Sequence, residues 1–340
     1  MAQTLVYPTN RVLRVVAAIK AANLEARRMI FTILPIGTLD SHTLEWEQED
    51  NYTGLQQVRG LNGRPPRVQH VGAKRYVAEP GVYGEHMVID EMEITKRRNY
   101  GQLTDNAVDV SELVARRQDR LLARRYDRIE QLGWLLLTTG TFAVAAANGA
   151  ILHTDTYVLQ TYTAGITWAT SATAVPLKNF RDVQLLSRGK GVSFGANSRA
   201  IMNRVTFNRL VSVTNINDIA GRRTSGLQTV LNLTEINAVL LGEGLPQLEI
   251  YDEGYLDDTN TFIPYIADGK VLVVGVRTDG GQIGEYLMTR NANNPNSAPG
   301  AYQKIIDQGE DKVPREVEVH DGHNGGAVLY FPSAMVVMNV

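Results

Sequence analysis

The segment between Asp109 and Leu137 constrains this chain more than any other stretch. Asp109 followed by Glu112 makes a start of the capping-box kind, an N-cap oxygen with a carboxylate three residues on. Leu122, Tyr126, Ile129, Gly133 and Leu136 then recur at spacings of 4, 3, 4 and 3, one narrow apolar seam along a helix. Around the seam stand Arg116, Arg117, Arg120, Arg124, Arg125 and Arg128, relieved by Asp119, Asp127 and Glu130. A helix over 109–137 is roughly 43 Å long, against an expected radius of gyration of about 20 Å for a compact chain of this length. It is a spine, and burial of one seam leaves its other faces to further contacts.

The stretch before it, 43–94, reads as a long hairpin arm. Leu44 and Trp46 alternate with Glu45 and Glu47, the period of a half-buried strand. Glycines at 54, 60, 63 and 72 and the pair Pro65–Pro66 punctuate a polar tip, and strand-like sequence resumes over 86–94. An isolated two-stranded hairpin is marginally stable in water, so this arm needs a surface outside its own fold. The expectation is that Leu44, Trp46, Val88 and Met92 bury against a neighbouring copy. Arg59, Arg64, Arg67 and Lys74 near the tip are expected to pair with acidic surface such as Asp257 and Asp258 in the 252–258 loop. A rim pair of that kind is worth about 0–1 kcal/mol, so it sets register more than affinity. Arg116, Arg117, Arg120 and Arg124 of the spine complete the candidate subunit-interface residues.

Residues 1–35 are basic, with Arg11, Arg14, Lys20, Arg27 and Arg28 against Glu25, and Val12, Val15, Val16, Ile19 and Leu24 at roughly helical spacing. They suit a surface helix or an arm lying along a neighbour. A second module begins at Pro176. It holds a short amphipathic helix (177–188), a strand at Ala200–Met202, a helix over 204–213 and another capped by Thr234 and ending at Gly242. Strands follow in QLEIY, TFIPYI and KVLVVGV, the last two joined by a hairpin signal at Ala267–Asp268–Gly269. TRNANNPNSAPG (289–300) is a polar loop. REVEV and AVLYFPSAMVVMNV return as strands, with HDGHNGG (320–326) a flexible turn between them.

Much chemistry is excluded or unsupported. The chain has no cysteine, which removes disulfides, thiolate zinc sites and thiol nucleophiles. A hydrophobic fraction of 44% with 21% charged residues is that of a folded protein, and a net charge of −2 does not advertise nucleic-acid binding. No leader with an apolar core is read at the N-terminus, and no run reaches about 18 apolar residues. GKGVSFG (189–195) lacks the phosphate-loop spacing, and no nucleophile elbow occurs. His320 and His323 are expected as exposed turn residues rather than as a metal pair, and the acidic run 251–260 lacks the calcium-loop pattern. The remaining enzyme reading gathers His153, Asp155 and His320 between subunits. No catalytic residue, cofactor or metal is expected.

Taken in order, ILPIGTLDSHTLEWE (33–47), VRGLNGRPP (58–66) at the arm tip, the spine, and FIPYIADGKVLVVG (262–275) carry a resemblance over nearly the whole chain. The sequence resembles the major capsid proteins of tailed bacteriophages, the lambda-type capsid protein E family. That resemblance implies an α+β chain of the Hong Kong 97-like fold. Its parts would be an N-terminal arm (1–42), an extended loop (43–94), a peripheral domain (95–175 and 301–340) with the spine helix 109–137, and an axial α/β domain (176–300). It implies self-assembly through hexamers and pentamers into an icosahedral shell around double-stranded DNA, put together in the host bacterial cytoplasm. A separate scaffolding protein, a portal protein, a decoration protein and weak non-specific contact with packaged DNA come with it. An encapsulin-like nanocompartment shell and a phage tail structural protein are the alternatives.

Overall fold

The computed structural model describes residues 20–49, 55–59, 61–67, 73–95, 110–145, 151–214, 216, 232–257, 259–307 and 313–340. The expected cap at Asp109 lies outside them.

A single long strand, Val317–Leu329, is the axis of the first sheet. Gly81–Ile89 runs antiparallel along one edge, paired with residues 317–325. Along the other edge Tyr302–Asp307 pairs with 317–322 and Gly284–Met288 with 325–329, so two strands share one line and the loop between them leaves the sheet. Ile36–Thr38 adds parallel to Gly284–Met288. The expected flexible turn at 320–326 is therefore mid-strand. Its glycines answer to crowding instead. A Cβ on Gly325 would stand 2.4 Å from the Leu287 carbonyl oxygen, and one on Gly326 2.6 Å from the Phe142 ring and 2.7 Å from Leu44. Neighbours occupy the space a side chain would need.

The spine helix, Val110–Thr139, has 30 residues and so a length of about 45 Å. The 13-residue strand beneath it extends about 40 Å; rod and ribbon match. Val110, Val114 and Leu121 pack on Ile89, Val317 and Val319. All five seam residues are buried, as the spacing requires. Beyond them the two halves differ. From Ile129 onward the helix dives into the core, where Leu132, Trp134 and Leu137 are buried on other faces and Ile30 closes on Gly133. The expectation of one buried seam holds only for its first half. Gly140, at φ +72°, ends the helix in the left-handed conformation favoured there.

The second sheet runs in the order Gln247–Ile250, Arg199–Met202, Lys270–Val274, Met335–Asn339, Gln160–Thr163. Both its faces are covered, which explains the unbroken apolar runs of its central strands. Val271, Val273, Val336 and Met338 pack with Phe180, Phe207 and Leu240 of the helices Pro176–Leu185, Arg204–Ser212 and Leu233–Gly242. Leu272, Val274, Met335 and Val337 face the core of the spine. Gln160–Thr163 and Met335–Asn339, grouped by sequence with the spine, hydrogen-bond here instead. The turn at Ala267 forms (Lys270 N–H to Ala267 O, 3.2 Å) but makes no hairpin. Phe262–Pro264 pairs with Gly254–Leu256, and Lys270–Val274 inserts between Arg199–Met202 and Met335–Asn339. Asn232, not Thr234, caps the last helix, in a complete capping box with Glu235.

Candidate assembly surfaces

The arm hairpin pairs Leu44–Glu49 with Ala73–Ala78, Trp46 opposite Tyr76. Its return limb is thus not 86–94: Gly81–Ile89 joins the first sheet and Glu91–Thr95 is a short helix. At the root, Trp46 stacks between Tyr76 (ring centroids 5.5 Å) and Tyr157 (5.9 Å). Leu44 is 1% exposed and Trp46 7%, both inside the chain's own core. The expected contact of these two with a neighbour is corrected: the half-buried face of the strand turns inward. Burial of each contributes about 1.5–3 kcal/mol to fastening the arm on its body.

The tip behaves oppositely. Leu55, Val58 and Leu61 are 95%, 96% and 101% exposed in a segment without regular structure. Arg59 donates to the Gly63 carbonyl (3.3 Å), and Arg64 and Arg67 stand in solvent. The backbone of Lys74 pairs with Gln48 in the hairpin; its side chain lies outside the described residues. The apolar trio was not singled out from sequence, although its spacing of three among polar residues is a signal.

The basic faces of the spine are strapped to the chain itself. Arg116 pairs with Glu112 one turn back. Arg117 holds Glu93 (2.8 and 2.9 Å), and Arg124 grips Glu85 on the neighbouring strand with both nitrogens (2.5 and 2.8 Å). Arg125 reaches both oxygens of Asp321 at 3.0 Å, a nearly buried pair on the long strand. Burial raises the Asp321 carboxyl, opposed by the charge of Arg125. Glu130, buried in mid-helix, binds Arg28 Nε (2.8 Å), accepts from Trp134 Nε1 (3.2 Å) and from the Tyr251 hydroxyl, and is pushed up by its burial. It joins the N-terminal segment, the spine and the second module. Of the four spine arginines expected at an interface, Arg120 alone is exposed without a recorded partner among the described residues.

The histidines are not a metal pair. His323 is buried, its Nε2 2.9 Å from the Tyr286 hydroxyl and its ring stacked on Tyr83 (5.1 Å). Burial, then the charges of Arg125 and Arg128, push it down to about 3. His320, on the opposite face, bonds Glu318 (2.8 Å) and stacks on His86 (5.2 Å). His153 bonds Asp155 (2.8 Å), and no bond links that pair to His320 among the described residues. Nor does any group of three or more potential ligands there suit a metal ion.

In the acidic loop, one Asp257 oxygen accepts from Thr259 N (2.9 Å), Thr259 Oγ1 (2.7 Å) and Thr261 N (2.8 Å), and these bonds hold its carboxyl low. Asp258 lies outside the described residues. On the small hairpin that this turn closes, Leu256 and Phe262 stand directly opposite one another, 61% and 54% exposed.

Among solved structures, the chain is similar to a putative capsid protein of a prophage from Escherichia coli CFT073, at 12% identity over 98% of each chain with a TM-score of 0.59. It is also similar to a phage-related protein from Bordetella bronchiseptica (8% identity, 95% of this chain and 96% of that one, TM-score 0.52). The capsid of Myoviridae phage XM1 matches at 10% identity over 89% and 88%, TM-score 0.51. No curated protein matches the sequence. Rod, ribbon and arm belong to the Hong Kong 97-like α+β fold. The family model for phage major capsid protein E matches residues 9–320, and the chain belongs to that family. It is a major capsid protein of a tailed phage, a virion component that self-assembles into shell oligomers.

Proposed function

We propose that copies of this chain close, through hexamers and pentamers, into an icosahedral shell around packaged double-stranded DNA, and that the role is structural, without catalysis. The fully exposed apolar tip of the arm carries this reading, since Leu55, Val58 and Leu61 are left for another surface to cover. The division into an N-terminal arm (1–42), extended loop (43–94), peripheral domain (95–175 and 301–340) and axial domain (176–300) organises the contacts. In it, the axial body also takes in Gln160–Thr163 and Met335–Asn339. Specific interfaces bury roughly 1,200–2,000 Å², and many modest contacts sum over a closed lattice while single wrong ones stay reversible. A net charge of −2 suits a lining that must not trap DNA through phosphate contacts.

Assembly in the bacterial cytoplasm, a separate scaffolding protein, a portal protein and a decoration protein belong to the same reading. Negative-stain imaging of the purified chain tests it, with closed shells tens of nanometres across as the expected result. A monodisperse monomer at high concentration, its arm folded onto its own body, would overturn it. Co-purified DNA rather than a protein cargo separates this role from a nanocompartment.

A further inference from the structure

Two surface elements complement one another in charge and in apolar surface, yet no bond joins them within the chain among the described residues. The arm tip, 54–68, carries Arg59, Arg64 and Arg67 and no acid; residues 252–262 carry Asp252, Glu253, Asp257 and Asp258 and no base. Each also shows apolar side chains to solvent: Leu55, Val58 and Leu61 on the tip, Leu256 and Phe262 on the hairpin. A patch of that composition, apolar at its centre and charged at its rim, has the anatomy of a protein interface.

The hairpin is held in shape by its own chain. It is an isolated two-stranded ribbon, an arrangement marginal by itself, but its turn is pinned by the three bonds to Asp257 and by Asn260 at φ 64°. Its base continues through Tyr255, Tyr265, Tyr251 and Trp134, with ring centroids 5.9, 6.5 and 5.1 Å apart in succession, into the spine helix. A shape held rigid before contact loses little freedom on docking. The tip has the reach: a limb of this length, Glu49 to Leu61, can span up to about 40 Å, about twice the expected radius of gyration, about 20 Å.

We propose that, in the shell, the arm tip of one copy closes over the hairpin Gly254–Pro264 of a second copy. Leu55, Val58 and Leu61 cover Leu256 and Phe262, and Arg59, Arg64 and Arg67 ring them against Glu253 and Asp257; Asp252 already pairs with Arg204 of its own chain (3.4 Å). The inference rests on the shell reading and gives the arm its address.

Because the chain has no cysteine, an engineered pair is free of background. Shells of Leu61→Cys/Leu256→Cys, and of Val58→Cys/Phe262→Cys, are oxidised and run on non-reducing gels. The expected result is a ladder of covalently joined chains from both double variants in shells, and single chains from each single variant. Shells that form but give only single chains from both double variants overturn the docking and leave the shell reading standing; failure of the native chain to form shells overturns that reading instead. In parallel, Leu256→Glu/Phe262→Glu is expected to lower particle yield at least tenfold with an unchanged subunit melting temperature. Glu253→Lys is expected to restore part of the yield lost in Arg59→Glu/Arg64→Glu. An unchanged yield in the glutamate pair would also overturn the docking.

Discussion

Residues 54–67 and 320–326 are both rich in glycine and in basic or polar groups, and the molecule uses them in opposite ways. The described part of the first is exposed throughout and carries no regular structure; the second is the middle of the longest strand. Among the described residues, the tip is covered by no other part of its own chain. The strand is crowded on every side, and Tyr83, Tyr302, Phe142 and Leu287 fill the room its glycines leave. Glycine in one place marks an exposed loop, and in the other a backbone against which its neighbours pack closely.

The harshest way to probe that contrast is to add a side chain at each. Gly325→Val drives two methyls toward the Leu287 carbonyl and is expected to abolish soluble folded subunit, read by circular dichroism; Gly63→Val at the tip is expected to change stability by no more than about 0.5 kcal/mol. Next comes charge. Arg125→Met strands the buried Asp321 carboxylate and is expected to cost about 3–5 kcal/mol in denaturant unfolding.

The buried histidine of the same strand sets a pH dependence. Its value in the fold, about 3, lies below its ordinary 6.5, so the unfolded chain takes up its proton first as the solution is acidified. The stability it contributes is complete above pH 6.5 and is lost progressively down to about 3, a sum on the order of a few kcal/mol. Asp321 and Glu130, raised by burial, act with the opposite sign and favour the fold as they become protonated. His323→Gln is expected to flatten the fall of melting temperature between pH 6.5 and 4; an equally steep fall would refute the assignment. Smallest is the exposed Arg124–Glu85 strap, where Arg124→Ala is expected to cost about 0–1 kcal/mol.

The spine was legible because its seam is local: residues 3 and 4 apart must share a face, and Val110–Thr139 follows. The strand Leu44–Glu49 was legible for the same reason, but period two says that one face is buried, not against what, and the partner proved to be the chain's own Tyr157 and Phe142. The arginines misled in the same manner. Glu93, Glu85 and Asp321 lie far from Arg117, Arg124 and Arg125 in sequence, and nothing local announces such pairs. The glycine run of the long strand failed for a related cause, since the crowding that demands it comes from strands elsewhere in the chain.

The loop between Met288 and Tyr302 leaves the first sheet and comes back to it through a closed neck, where Gly300 N–H bonds the Thr289 carbonyl (3.2 Å) and Arg290 bridges Pro299. Its crest, 295–298, stands in solvent. Foreign peptide spliced into that crest would lengthen a detour that is already tied off, leaving the strand register on either side untouched. A particle would then carry one added peptide for every subunit it contains.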